Sequence, residues 1–357
     1  MEDAPHLPPP VAIVDDVRFD AHCDVAGHHP ESPERLAAAR DGLKRGLGAA
    51  PQRLLPTREA TDHELARVHS PRYVQHLRAA LARGAGQLDP DTYFSPGSRE
   101  AAWLAAGSVI DLTESLLSGA SRRGVALLRP PGHHAIRDAS MGFCLLNNVA
   151  LAASSALARG LTRVAIVDWD VHHGNGTQDM FYDDRRVLFI SLHQYPFYPG
   201  TGAAHDIGRG AGAGFTANLA LPGDSGPELY GAGFREVVLP LLRAYAPELV
   251  LVSAGFDAHE RDPLASMNLD HACYGGFASA LLDLVDELGH GRIAFVLEGG
   301  YDLYALSDSV RQVSAALTGT RLPLPEGKLK GRERAAIDAT LNALSAHWPL
   351  NHASVAR

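Results

Sequence analysis

The sequence predicts an α/β fold, with a central, mostly parallel sheet and helices on both faces. Short, continuously apolar runs recur along the chain, each about the length of one buried strand. Helical stretches rich in small apolar residues separate them, the alternation that parallel crossover units require. The runs lack polar–apolar alternation, so both faces of the sheet must be covered.

Taken in order, Val11-Ala12-Ile13-Val14 is read as the first strand. Residues 33–36 open a helix, with Ser32 as its N-cap and Pro33 in its first turn. Ala- and Leu-rich helices follow near 63–83 and 98–118. Residues 124–128 form a strand that must end at the loop Arg129-Pro130-Pro131-Gly132. Then come a helix over 145–159, a strand over 163–168, a helix near 177–182 and a strand over 186–192. A glycine-rich loop covers 200–214, and 227–245 is helical. A strand at 249–253, a helix at 269–288 and a strand at 293–297 complete the pattern before closing helices. No internal repeat or long low-complexity linker interrupts it.

A chain of 357 residues is long enough to bury a large core. Its 46% hydrophobic and 20% charged residues are those of an ordinary globular protein. The net charge of −9 disfavours non-specific nucleic-acid binding and draws cationic ligands weakly. Cys23, Cys144 and Cys273 are scattered and form no CxxC pair, which excludes a disulfide framework and a cysteine zinc site. Such cysteine usage points to a reducing, cytoplasmic setting. The start, Met1-Glu2-Asp3-Ala4-Pro5, is acidic and lacks an apolar signal core, and no run approaches the length of a membrane span.

Polar clusters stand at the C-terminal ends of the expected strands, at 129–134, 168–177, 191–200, 253–262 and 297–302. In open parallel sheets such ends converge on the functional crevice. The richest is Asp168-Trp169-Asp170-Val171-His172-His173-Gly174-Asn175-Gly176-Thr177. Extended backbone places Asp168, Asp170 and His172 on one side, where two carboxylates and an imidazole call for a shared cation. In isolation Asp257, after Gly255-Phe256, reads as a helix cap or turn; beside Asp170 and His172 it reads as a third ligand. His259 lies in the charged stretch His259-Glu260-Arg261-Asp262, which reads as solvated and not as a ligand.

Pro130-Pro131-Gly132-His133-His134 sets adjacent histidines on a stiff loop. By themselves they are surface residues; beside a metal, one serves as base and the other as acid or electrostatic partner. Leu297-Glu298-Gly299-Gly300-Tyr301 offers a tyrosine hydroxyl for an oxyanion, although a packed tyrosine is the commoner case. Gly142-Phe143-Cys144 and Tyr195-Pro196-Phe197-Tyr198-Pro199-Gly200 read either as walls of a narrow slot or as core aromatics.

Together these segments resemble the histone deacetylase superfamily, over about residues 11–318 of a single domain spanning 1–357, with 319–357 as a C-terminal helical extension. The resemblance implies the arginase/deacetylase-like fold. Asn175 stands where class I members carry an aspartate, so the chain is similar to class II and to bacterial histone deacetylase-like and acetylpolyamine amidohydrolases.

By this resemblance Asp170, His172 and Asp257 bind one catalytic Zn2+, and one or two structural K+ ions are expected. His133 pairs with Asp168 and His134 with Asn175, His134 being the main base and then acid, while Tyr301 binds the scissile carbonyl. Phe143, Gly142, Tyr198 and Leu264 form the substrate channel. Asp91, ahead of Asp89, is the rim residue that binds substrate backbone, unless it is a solvated loop acid. Arg35 and Cys144 match an inner acetate channel; a helix-start salt bridge and simple packing account for them equally well. Asp168, Ser191 and main-chain oxygens of Asp170, His172 and Leu192 match a potassium site, and Phe181, Val187 and Phe215 a second.

The implied activity is zinc-dependent hydrolysis of a linear amide C–N bond, removing acetyl or other acyl groups from the lysine ε-amine of proteins or peptides. An acetylpolyamine deacetylase uses the same chemistry, but a rim glutamate would favour polyamines and Leu264 stands in that place. An arginase-like ureohydrolase would use more Asp ligands, and the His pair and Tyr301 speak against it. A non-catalytic acyl-lysine reader would not need every one of these positions intact. Neither nucleic acid nor membrane is an expected partner, and the oligomeric state stays open.

Overall fold

The structure, a computed structural model, describes residues 9–350. The acidic start read at Met1–Pro5 and the end of the expected C-terminal extension, 351–357, lie outside the described residues. The strands are Val11–Val14 (β1), Gln52–Leu54 (β2), Gly86–Gln87 (β3), Tyr93–Phe94 (β4), Arg123–Ala126 (β5), Val164–Asp168 (β6), Val187–Gln194 (β7), Thr216–Leu221 (β8), Leu249–Ala254 (β9) and Ile293–Leu297 (β10). Eight of them form one sheet in the order β2-β1-β5-β10-β9-β6-β7-β8. Every neighbouring pair in it is parallel. β3 and β4 pair separately as a short antiparallel hairpin.

The helices are Glu34–Leu47 (α1), Asp62–Leu65 (α2), Pro71–Leu81 (α3), Ser98–Leu117 (α4), Asn148–Ala158 (α5), Asn175–Phe181 (α6), Pro227–Gly233 (α7), Leu239–Tyr245 (α8), His271–Glu287 (α9), Leu303–Leu317 (α10) and Gly331–Leu344 (α11). Strands β6, β7, β9 and β10 are buried at every residue, as their unbroken apolar runs require. None of the described helices is long and apolar enough to cross a membrane.

Several boundaries differ from expectation for local reasons. The expected helix over 63–83 splits, because Ser70 caps a new helix by accepting from Tyr73 N–H and Pro71 occupies its first turn. Helix α5 starts late, at the cap Asn147, whose side chain accepts from Ala150 N–H at 3.0 Å. Ser32 does not cap α1: the flanking residue is Pro33, in helical conformation and without a side-chain cap bond. A π-helical turn at Phe234–Val238 joins α7 to α8, next to Pro240, which lacks the N–H a regular turn would use. Two strands carry no clear sequence signal. β2 is a short, exposed edge, and β8, Thr-Ala-Asn-Leu-Ala-Leu, has little β-branched character. Beyond β8 lies α11, where Thr340 Oγ1 donates to Asn218 O at 2.8 Å.

This topology places β6, β9 and β10 side by side at the sheet centre. Asp168 is in register with Ser253, and Ala254 with Leu297. The residues just past these strands are therefore neighbours in space, although far apart in sequence.

Candidate active site

Past β6 the chain leaves the sheet, so strand parity stops at Asp168. The Asp168 carboxylate turns back to accept from Asp170 N–H at 3.1 Å and faces His133 Nδ1 at 3.0 Å. It does not join the cluster of Asp170 and His172, which corrects the expectation of a shared face. That cluster takes its third member, Asp257, from the loop just past β9. One ligand atom each from Asp170, His172 and Asp257 lies within 4.8 Å of the others. His172 Nδ1 stands 3.2 Å from Asp170 Oδ1 and 3.1 Å from Asp257 Oδ2.

Two buried carboxylates this close repel unless a cation sits between them. Burial opposes charge on His172, yet its hydrogen bonds to Asp170 and Asp257 push its pKa up to about 10. The backbone packs closely against these carboxylates: a Cβ at Gly299 would collide with both Asp257 Oδ2 and Asp170 Oδ2, and one at Gly255 with Asp170 Oδ2. Gly299 N–H donates to Asp170 Oδ2 at 2.8 Å, and Val171 N–H to Asp257 Oδ1 at 2.9 Å, which aims the remaining lone pairs inward. One imidazole and two carboxylates, buried and oriented by main-chain donors, fit a divalent zinc with open positions.

The adjacent histidines have different partners, and the difference sets their charge. Burial works against a charged His133, but Asp168 and then Asp170 outweigh it and hold its pKa well above the ordinary value. His134 is driven well below, first by burial and then by His133 and His172. Its Nδ1 meets Asn175 Oδ1 at 2.7 Å, and the Asn175 amide nitrogen faces His134 O and Met141 Sδ on its other side. The amide oxygen thus accepts, so His134 carries its proton on Nδ1 and presents a basic Nε2.

Both histidines line a cavity of about 210 Å³ with Phe143, Phe197, Tyr198, Leu264, Tyr301 and Asp91 among its walls. Phe197 stacks on His172 at 5.4 Å, and Tyr198 meets His134 edge-on at 5.2 Å. Phe143 stands edge-on to Tyr301 at 5.9 Å and is held at φ 69, a left-handed conformation rare for a bulky residue. Its N–H donates to Thr92 Oγ1 at 3.1 Å, and Gly142 N–H to Asp91 Oδ1 at 3.1 Å, so the rim acid also shapes the wall. Burial holds the Tyr301 hydroxyl protonated well above the usual tyrosine range, with the Arg35 guanidinium 4.9 Å over the ring pulling the other way.

Other expected residues lie outside this cavity's lining. Arg35 is fully buried behind Tyr301, donating to Gly300 O at 2.7 Å and to Glu298 O, and it also pairs with Glu31 at 2.9 Å as the helix-start reading proposed. Cys144 is buried with its thiol toward Gly142 O at 3.2 Å. Asp168 and Ser191 are in register on neighbouring strands, with Leu192 next; Ser191 Oγ already bonds His193 Nδ1 at 2.9 Å. The Phe181 and Phe215 carbonyls accept main-chain bonds from Asp184 and Phe189 at 3.0 and 2.9 Å. A larger depression of about 670 Å³, between α3 and residues 138–140, holds none of the cluster.

Three features were not legible from sequence. Glu298 is fully buried, accepting from Gly132 N–H at 2.6 Å, His133 N–H at 3.2 Å and Ser253 Oγ at 3.1 Å, which ties three strand ends together. His259 and Asp262 are buried and not solvated, because their loop folds back and bridges His259 to Leu269. Asp262 accepts from Tyr301 N–H at 2.7 Å.

The histone deacetylase domain family matches residues 29–317. Histone deacetylase 15 of Arabidopsis thaliana is 42% identical over 307 residues, 84% of this chain and 54% of that protein. Polyamine deacetylase HDAC10 of Homo sapiens is 42% identical over 346 residues, 92% of this chain and 50% of that protein. The chain thus spans about half the length of these two relatives. An uncharacterized Synechocystis protein is 44% identical over 306 residues and is matched over 97% of its length. The crystal structure of the HDA15 HD domain superposes with a TM-score of 0.89 at 38% identity, over 95% of each chain.

Proposed function

The chain belongs to the histone deacetylase family, and on that premise we propose that it is a zinc-dependent hydrolase releasing acetate from the ε-amine of acetyl-lysine in proteins or peptides. One observation carries the reading: two adjacent histidines of opposite charge preference share one narrow cavity with Tyr301 and with His172, the member of the Asp170–His172–Asp257 cluster that faces it.

Zinc held by Asp170, His172 and Asp257 would supply Lewis acidity at the scissile carbonyl and a water of lowered pKa. His134 Nε2 takes the proton of the attacking water as the new C–O bond forms. The Tyr301 hydroxyl donates to the oxyanion. His134 then returns the proton to the leaving nitrogen as the C–N bond breaks, giving acetate and a free amine. His133, charged opposite Asp168, stabilises the negative charge that develops nearby. Phe143 and Tyr198 flank the alkyl chain and exclude water.

An acetylpolyamine substrate is the second reading, favoured by the likeness to a relative named polyamine deacetylase. Leu264, an apolar wall with no charge for a distal ammonium, favours the lysine substrate. In the same reading residues 1–357 form one domain, and a structural potassium sits beside Asp168 and Ser191. The test is turnover of an acetyl-lysine peptide, N-acetylputrescine and N-acetylspermidine, with metal-stripped and zinc-reloaded protein. Zinc-restored turnover led by the peptide is expected. A lead for the acetylpolyamines moves the substrate class, and no turnover of any by zinc-loaded protein overturns the reading.

A further inference from the structure

We infer that Asp262 is a positioning residue that sets Tyr301 and the rim residue Leu264 together, so that the rate of hydrolysis and the choice of leaving amine depend on one side chain. The inference rests on the deacetylase reading above.

Asp262 is 7% exposed, and its two oxygens have separate tasks. Oδ2 accepts from Tyr301 N–H at 2.7 Å, across 39 residues of sequence, and Oδ1 accepts from Leu264 N–H at 3.0 Å. Tyr301 and Leu264 both line the cavity; in the deacetylase reading Tyr301 holds the carbonyl and Leu264 stands at the rim. No cationic side chain among the described residues pairs with Asp262: the adjacent Arg261 turns away to Asp302 at 3.3 Å and to the Tyr304 ring at 5.1 Å. Burial and then the Asp257 carboxylate both act against a charge on it.

A buried carboxylate with no cation and a like-charged neighbour is costly, and an apolar side chain would fill the space with less penalty. What the carboxylate supplies is a pair of acceptors in fixed relation. Tyr301 needs such a tie, because it follows Gly299 and Gly300, the latter at φ +117, and a glycine pair constrains its neighbour little. Arg35 holds the Gly300 carbonyl and Asp170 the Gly299 N–H, but only Asp262 among these ties Tyr301 to the rim. Displacing a reacting group by about 1 Å costs up to about 10²-fold in rate.

The test compares full-length, zinc-loaded wild type, Asp262→Asn and Asp262→Ala, each alone and combined with Tyr301→Phe. The measurements are kcat and KM on the acetyl-lysine peptide and on N-acetylputrescine, with zinc content and Tm. Asparagine sets an NH2 against one of the two main-chain donors. Its expected effect is a fall in kcat of about tenfold or more with zinc content unchanged. In the Tyr301→Phe background the same substitution is expected to cost less than about threefold, the coupling that marks action through Tyr301. The ratio of kcat/KM for peptide over N-acetylputrescine is expected to shift as well. Unchanged rate and ratio in folded, zinc-replete variants overturn the inference, as does a full multiplicative loss in the Tyr301→Phe background. Loss of the fold in both Asp262 variants also overturns it, by making Asp262 purely structural. Wild type inactive on both substrates overturns the deacetylase reading and this inference with it.

Discussion

Asn175 accepts a hydrogen bond from His134, Oδ1 to Nδ1, at 2.7 Å. A neutral partner leaves His134 in the low-pKa state set by burial, His133 and His172. A base must be deprotonated to work, so activity is lost as pH falls through its pKa. Asn175→Asp adds a negative charge and raises that pKa, by about 1–2 units. The acid limb of the kcat/KM profile is expected to move to higher pH by that amount. An unmoved limb would exclude His134 as the base. Asn175→Ala, which leaves Nδ1 unpartnered, is expected to lower kcat about 10–100-fold with zinc retained.

Glu298 joins the His133 loop to the Tyr301 loop through Gly132 N–H, His133 N–H and Ser253 Oγ. Glu298→Ala leaves two buried N–H groups unpaired, at about 1–3 kcal/mol each. Glu298→Gln can keep its oxygen on the N–H pair and offer its amide to Ser253. Urea midpoints are expected to fall clearly for alanine and by about 1 kcal/mol or less for glutamine. Equal loss in both variants would point to charge as the essential contribution.

Burial pushes the Glu31 pKa up, yet Arg129, then His22 and Arg35, hold it down at about 2, below the ordinary 4.5. A depressed carboxyl contributes stability that is complete above its unfolded pKa and lost as pH falls through the folded one. The unfolding free energy of wild type is therefore expected to carry an extra decline between pH 4.5 and 2. Glu31→Gln should lack that decline and, at pH 7, be less stable by about 3–5 kcal/mol, with two buried guanidinium groups uncompensated. Denaturant curves across this range measure both. Parallel acid slopes would contradict the assignment.

Leu264→Glu sets a carboxylate at the mouth. A charge about 5 Å from a substrate ammonium is worth about 1 kcal/mol in water and about 3 kcal/mol at an effective dielectric constant of 20. The kcat/KM ratio of N-acetylputrescine over peptide is expected to rise about tenfold, and to fall back at high salt. A ratio that stays constant would place the substrate's distal amine away from Leu264.

Much of the sheet was legible because its strands are unbroken apolar runs, such as Val164–Asp168 and Ile293–Leu297, whose burial needs no partner to be inferred. The weak strands β2 and β8 were not, since an exposed edge of Gln-Arg-Leu and an alanine-rich run leave no periodic signal. Asp170, His172 and Asp257 were legible as a group because each closes or follows an apolar run. Asp262 was not, because a charged residue in a charged loop looks the same in sequence whether it faces water or an amide.

Residue types and their distance from strand ends thus set what chemistry is available here: two carboxylates and an imidazole, a histidine pair and a tyrosine after two glycines. Tertiary structure alone decided how these groups share charge. Asp168 left the cluster for His133, burial beside His133 and His172 kept His134 neutral while Asn175 oriented it, and Glu298 and Asp262 came inside to hold the loops. The reason is physical. Side-chain identity and strand order are local properties of the chain. A buried group's charge and orientation depend on partners a few ångströms away, which only folding brings near.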